Sequence, residues 1–167
     1  MSIPFFQDQG KKLFTRLKVA DLGSVTADLA VWGETDFGRY LRHREHRLLK
    51  QKYTELPGYR LLHLGPAPDL QSLDCFNHIH RFSMNAALTS EATVVGNYAE
   101  LPLPADIIDV ALVQHGVEFS VSPKAVLAEV GRVVAPGGHL LLCMYNPYGP
   151  LGMLKFPMQL LSGKPQY

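Results

Sequence analysis

The sequence predicts an α/β domain built on a doubly wound, mostly parallel sheet, with helices on both faces. Three observations carry this. Short apolar runs at residues 59–64, 108–114 and 139–144 have the near-continuous hydrophobicity of strands covered on both sides. Segments with helical spacing of apolar residues stand between such runs, and that alternation gives parallel pairing through right-handed crossovers. The chain has 167 residues, 47% hydrophobic and 19% charged, which suits one packed domain rather than a disordered segment.

In chain order, residues 1–37 read as an irregular N-terminal arm, and residues 38–167 as the α/β domain. Gly38 to Leu56, GRYLRHREHRLLKQKYTEL, places Leu41, Leu48, Leu49, Tyr53 and Leu56 at near-helical spacing, so a helix is expected there. Pro57-Gly58 ends it. Its Arg39, Arg42, Arg44, Arg47, Lys50 and Lys52 read as a solvated polar face. Tyr59–Leu64 is the first strand, and residues 66–73 a short, poor helix. His78–Met84 and Thr93–Val95 are the second and third strands, and Ile108–Gln114 the fourth. Ser122-Pro123 starts a helix, with serine as cap and proline at its first position. Val126, Leu127, Val130, Val133 and Val134 form its apolar stripe, and Pro136-Gly137-Gly138 stops it. His139–Met144 is the fifth strand.

Composition excludes several function classes. A net charge of +1 sets up no global field for nucleic acid or an anionic membrane, so neither is expected as a partner. Cys75 and Cys143 are far apart and make neither a disulfide framework nor a metal cluster. The pairs His43/His46 and His78/His80 lack a carboxylate or cysteine to complete a ligand set, so no metal is expected. The start, MSIPFFQDQGKKLF, has no apolar run of signal-peptide length, and the expected compartment is the cytoplasm. Gly10-Lys11 lacks the upstream glycine and flanking strand of a phosphate loop.

In an open parallel sheet, ligands sit beyond the carboxyl ends of the strands, at the switch point of strand order. Here those ends are Gly65, Gly96 and Gln114-His115. The loop at Gly65, within LLHLGPAPDL, follows a buried strand as a cofactor loop would. It holds one glycine, and Pro66 removes a backbone donor there.

The segment Val94–Pro147 resembles the central half of class I S-adenosylmethionine-dependent methyltransferases of the type 11 kind. The residues that carry the resemblance are Gly96-Asn97-Tyr98-Ala99-Glu100-Leu101-Pro102-Leu103, Asp109-Val110, His115-Gly116-Val117-Glu118 and Arg132-Val133-Val134-Ala135-Pro136-Gly137-Gly138. Upstream, GRYLRHREHRLLKQKYTELPGYRLLHLG, and later NPYGPLG, are similar to a bacterial subgroup of small methyltransferase-like proteins, so the resemblance spans residues 38–152. It implies a Rossmann-like, three-layer α/β/α fold and S-adenosylmethionine as cofactor. It also implies that Gly65, Asn97, Tyr98, Gln114 and His115 line the cofactor pocket.

This chain departs from the family pattern in three places. The first loop lacks the usual G-x-G-x-G, and no carboxylate follows the second strand to hold the ribose. Asn97 stands where an aspartate is usual. An amide oxygen still accepts a hydrogen bond. Losing a charged acceptor forfeits about 1 kcal/mol per contact. The implied reading is methyl transfer to an unknown acceptor, with no catalytic residue identified. The alternative is an inactive methyltransferase fold kept as a binding or interaction module. His115 is a candidate general base, although the family uses this histidine to order the loop; Asp109 and Glu118 read as structural.

The family sheet continues past the fifth strand, so this sheet is expected to be incomplete at the C-terminus. LLLCMY, Leu140–Tyr145, then reads as an unguarded edge, which favours self-association unless downstream residues, the 153–167 segment or a partner chain covers it.

Overall fold

In a computed structural model of the chain, the described residues are Thr26, Leu29, 31–65, 73–78, 80–86 and 94–146. The expected helix over 66–73 falls almost wholly outside them, as does the segment 153–167. The compact unit Asp21–Met144 holds the elements that follow.

Five strands form one parallel sheet in the order β3-β2-β1-β4-β5. They are β1 (Arg60–Leu64), β2 (His80–Asn85), β3 (Val94–Val95), β4 (Ile108–Gln114) and β5 (Val134–Cys143). β1 is central, pairing with β2 (Leu62 opposite Phe82) and with β4 (Leu62 opposite Ala111). Strand order therefore reverses between β1 and β4, which is the switch point of a doubly wound sheet.

Alternation along the strands sorts side chains to two faces. On one face Leu62, Leu64, Ala111 and Val113 pack with Val126, Val130 and Val133 of helix α2 (Pro123–Val133). On the other, Leu61, Val110 and Leu112 pack with Leu49 of helix α1 (Asp36–Lys52), and with Leu73, Cys75 and Phe76. The result is the three-layer, Rossmann-like α/β/α arrangement expected from the alternating pattern.

Some boundaries differ from the sequence expectation, each for a local reason. α1 starts two residues early because the Thr35 hydroxyl accepts from Gly38 N at 3.1 Å, making Thr35 the cap. At α2, Ser122 sits at the cap position with Pro123 behind it, but its side chain makes no capping bond; its carbonyl accepts from Val126 N instead. The expected stop at Pro136-Gly137-Gly138 is not the helix end. α2 finishes at Val133, and Pro136–Gly138 lies inside β5 at a register shift: Ile108 pairs with Val134, then Val110 with His139. Gly138 runs so close to Asp109 that a Cβ there would meet the Asp109 carbonyl oxygen at 2.8 Å.

Two polar clamps hold the segments that lead into the strands. Asp109 Oδ2 accepts from Tyr59 N and Arg60 N, each at 2.8 Å, stitching the start of β1 to the start of β4. Those two amide donors hold its carboxyl below the usual carboxylate range. Glu129 Oε1 accepts from Leu101 N, and Arg132 donates to the carbonyls of Leu101 and Leu103, pinning the Leu101-Pro102-Leu103 loop to α2.

Candidate functional site

Gly65, Gln114 and His115 come together at the switch point because β1 and β4 are neighbours in register, Leu64 lying opposite Val113. Gly65 has close company: a Cβ there would lie 2.8 Å from His63 Nε2 and 3.2 Å from the Gln114 carbonyl oxygen. Its own carbonyl accepts from the Tyr98 hydroxyl at 3.0 Å. Tyr98 is buried, its ring standing against Gly116, where a Cβ would meet the ring at 3.0 Å. Burial pushes its hydroxyl pKa up, so it remains a donor. Tyr98 thus holds the Gly65 carbonyl from the core.

Asn97 lies in the turn that follows β3 and is exposed. Its Oδ1 accepts from Ala99 N at 3.0 Å, an Asx-type turn. A carboxamide oxygen has two lone pairs, so one acceptor position remains for a ligand donor.

The polar residues of this end form one hydrogen-bonded chain on the α1 face. Its carboxylate end is Glu118, whose Oε1 takes His115 Nδ1–H at 2.8 Å. His115 Nε2–H donates to Glu45 Oε1 at 2.9 Å. Glu45 Oε2 accepts from Gln114 Nε2 at 3.4 Å, and Gln114 Oε1 faces His63 Nε2 at 2.9 Å. His63 Nδ1 is 2.9 Å from the Ser83 hydroxyl. The directions follow from chemistry. A carboxylate only accepts, so Gln114 donates to Glu45 and its oxygen accepts from His63. In the neutral ring His63 Nδ1 is then the acceptor, and Ser83 donates to it.

Electrostatics set the state of His115. Burial alone would lower its pKa. The hydrogen bonds and negative charges of Glu118 and Glu45 outweigh that and raise it to about 9. At neutral pH the ring is an imidazolium held on both nitrogens, which orders the loop and leaves no lone pair for general-base work. The backbone agrees: His115 has φ of 51°, a left-handed conformation costing about 1 kcal/mol for a non-glycine residue. The two carboxylates hold it there.

Three members of this chain, Glu45, His63 and Ser83, escape sequence reasoning. A signal existed for one: His63 interrupts the apolar run LLHL, and a polar group inside a buried strand requires a partner. Cys143 stands near the same carboxylates. Burial, with the charges of Glu45 and Glu118, pushes its thiol up to about 12, so it is an inert thiol. An open cavity of about 380 Å³ between α1 and the 74–75 turn is lined by His46, Lys50, Asp74 and Cys75. Among the described residues no group of three or more His, Cys, Asp or Glu could hold a metal ion.

Comparison with known proteins agrees with this architecture. Residues 72–142 match the methyltransferase-domain family. The uncharacterized protein YafS of Escherichia coli (strain K12) is 25% identical over 124 residues, 74% of this chain and 51% of that protein. Demethylmenaquinone methyltransferase of Mycolicibacterium paratuberculosis is 34% identical over 53 residues, 32% of this chain and 23% of that enzyme. The chain spans about half, or less, of the length of these curated relatives. In fold, it is similar to a SAM-dependent methyltransferase from Thermotoga maritima, with a TM-score of 0.52 and 18% identity, covering 72% of this chain and 66% of that one. It is also similar to the trans-methyltransferase CalH in complex with SAH, with a TM-score of 0.52 and 15% identity, covering 71% of this chain and 40% of that one. The parallel sheet with its switch point between β1 and β4 is thus the fold of those methyltransferase structures, and residues 72–142 are the part of the chain that matches the methyltransferase-domain family.

Proposed function

We propose that this chain binds S-adenosylmethionine at the switch point and transfers its methyl group to an acceptor. The observation that carries the reading is the convergence of Gly65, Gln114 and His115 at the carboxyl ends of β1 and β4, within a sheet of the methyltransferase fold. Bound there, S-adenosylmethionine would supply an electrophilic methyl group on its sulfonium. The chain's own residues would bind and orient it. The Gly65 backbone would approach the amino-acid portion, and the remaining acceptor position of Asn97 would take the adenine amino group. His115, fixed by Glu45 and Glu118, would hold the loop after β4. Methyl transfer of this kind asks chiefly for in-line positioning of a nucleophile.

The test is calorimetric titration with S-adenosylmethionine and S-adenosylhomocysteine, on the wild type and on Asn97→Asp. A charged acceptor strengthens a hydrogen bond, so Asn97→Asp is expected to tighten binding by about 1 kcal/mol, roughly fivefold. Unchanged or weaker affinity in that variant overturns the pocket assignment.

A second reading is favoured by one observation. His63, Gln114 and Glu45 already bond to one another, and Tyr98 bonds to the Gly65 carbonyl, so much of the polar chemistry at this end of the sheet is engaged internally. A fold kept as an inactive binding module would look the same. No heat with either ligand, on a folded protein, selects that reading.

A further inference from the structure

The outward side of α1 is not the plain solvated face that its charge run suggests. Phe37, Tyr40, Arg44, Arg47, Leu48 and Gln51 fall on one stripe at helical spacing, opposite the buried Gly38 and Leu49. Phe37, Tyr40 and Leu48 expose 43%, 55% and 48% of their surface, and Val31, just before the helix, exposes 74%. The rings are gathered. Phe37 stacks on Tyr40 at 6.4 Å, and Trp32 meets Phe37 edge-on at 6.2 Å.

Of the cations beside them, Arg39 is paired with Asp36 and Arg42 with Glu34, and the rest are not balanced in this way. α1 carries six Arg and Lys against two carboxylates, a net charge of +4 on a chain whose total is +1. Both carboxylates are engaged: Asp36 by Arg39, and Glu45 inward by His115. Arg44, Arg47 and Lys52 form no ion pair among the described residues. The whole-chain sum therefore conceals a locally basic helix face, and the expectation of no membrane partner, drawn from that sum, does not extend to this face.

From this we infer that α1 docks on a bilayer surface bearing anionic headgroups, with Phe37, Tyr40 and Leu48 entering the headgroup boundary and Arg44, Arg47 and Lys52 holding the phosphates. Interfacial helices combine basic and aromatic residues in this way. Single-stranded nucleic acid shares part of the chemistry, but two features favour lipid. Leu48 and Val31 gain from acyl chains and offer nothing to a base. The face is the convex side of a helix rather than a groove that tracks a phosphate backbone. This inference does not rest on the methyl-transfer reading.

Trp32 is the only tryptophan, so its fluorescence reports on this patch. The 167-residue chain is mixed with vesicles of phosphatidylcholine alone or of phosphatidylcholine with phosphatidylglycerol, and with a single-stranded oligonucleotide. Expected are co-sedimentation with the anionic vesicles only, a blue shift of Trp32 emission, and weakening by salt. Each Lys or Arg near such a surface is worth about fivefold in partition, so the double variant Arg44→Glu/Arg47→Glu should lose at least about 20-fold. Tyr40→Ser/Leu48→Ser should lose the blue shift. All three proteins should give the same circular dichroism, since these side chains are exposed. Binding to the oligonucleotide but not to vesicles, equal binding to neutral vesicles, or wild-type binding by both variants overturns the proposal.

Discussion

His115 concentrates the consequences of this fold in one side chain. Its folded pKa, about 9, lies above the value of about 6.5 for an unfolded histidine. Its contribution to stability is therefore complete below about pH 6.5 and lost as pH rises through about 9, a change on the order of 3 kcal/mol. Thermal melts across that window should show the wild type falling relative to His115→Gln; parallel curves would mean the imidazolium is not paired as described. Gly58 gives a second prediction. Its φ is 141°, and a Cβ there would stand 2.4 Å from the Asp109 Cβ. Gly58→Ala should therefore cost about 2 kcal/mol or more in denaturant unfolding, because it also pushes Asp109 off the amides of Tyr59 and Arg60.

At the level of elements, two contacts decide where helices sit. α1 is held to the sheet through Leu49, which is buried among Leu61, Val110 and Leu112, and through Glu45. Leu49→Ala should destabilise by roughly 3 kcal/mol in chemical unfolding, the range for deleting a buried leucine side chain. α2 has a second duty, since Glu129 and Arg132 grip the Leu101–Leu103 loop. Arg132→Ala should speed amide hydrogen exchange in that loop while leaving β4 protected, whereas uniform acceleration would indicate a global effect. The motif R-V-V-A-P-G-G is thus two devices in one. Arg132 secures a loop, and Pro136–Gly138 steps β5 past Asp109.

For the molecule as a whole, the feature with most consequence is β5. It pairs with β4 and lies at the edge of the described sheet. Leu140, Leu142 and Met144 share one face and remain 39%, 44% and 49% exposed. Exposed apolar side chains on an edge strand favour pairing with another chain. The 167-residue chain is expected to self-associate with rising concentration, and Leu142→Lys to suppress this, by sedimentation velocity. An unchanged distribution of species in that variant would place the association elsewhere. Charge is also uneven: six basic residues against two carboxylates on α1 make a local positive field that the net charge of +1 does not reveal.

Sequence by itself determined the layered parallel architecture. The reason is patterning: short apolar runs such as Ile108–Gln114, bounded by turn signals, fit strands covered on both faces, and the stripe Val126, Val130, Val133 fits a helix packed on them. It also determined which strand ends carry the candidate site, because topology places ligands there. Tertiary structure alone decided the site's chemistry. Glu45 is far from His115 in the chain, and only the packing of α1 on the sheet brings its carboxylate to 2.9 Å from that ring. His63 and Ser83 meet only through the register of β1 and β2. Period describes one element at a time, whereas a hydrogen-bonded chain needs the relative placement of four.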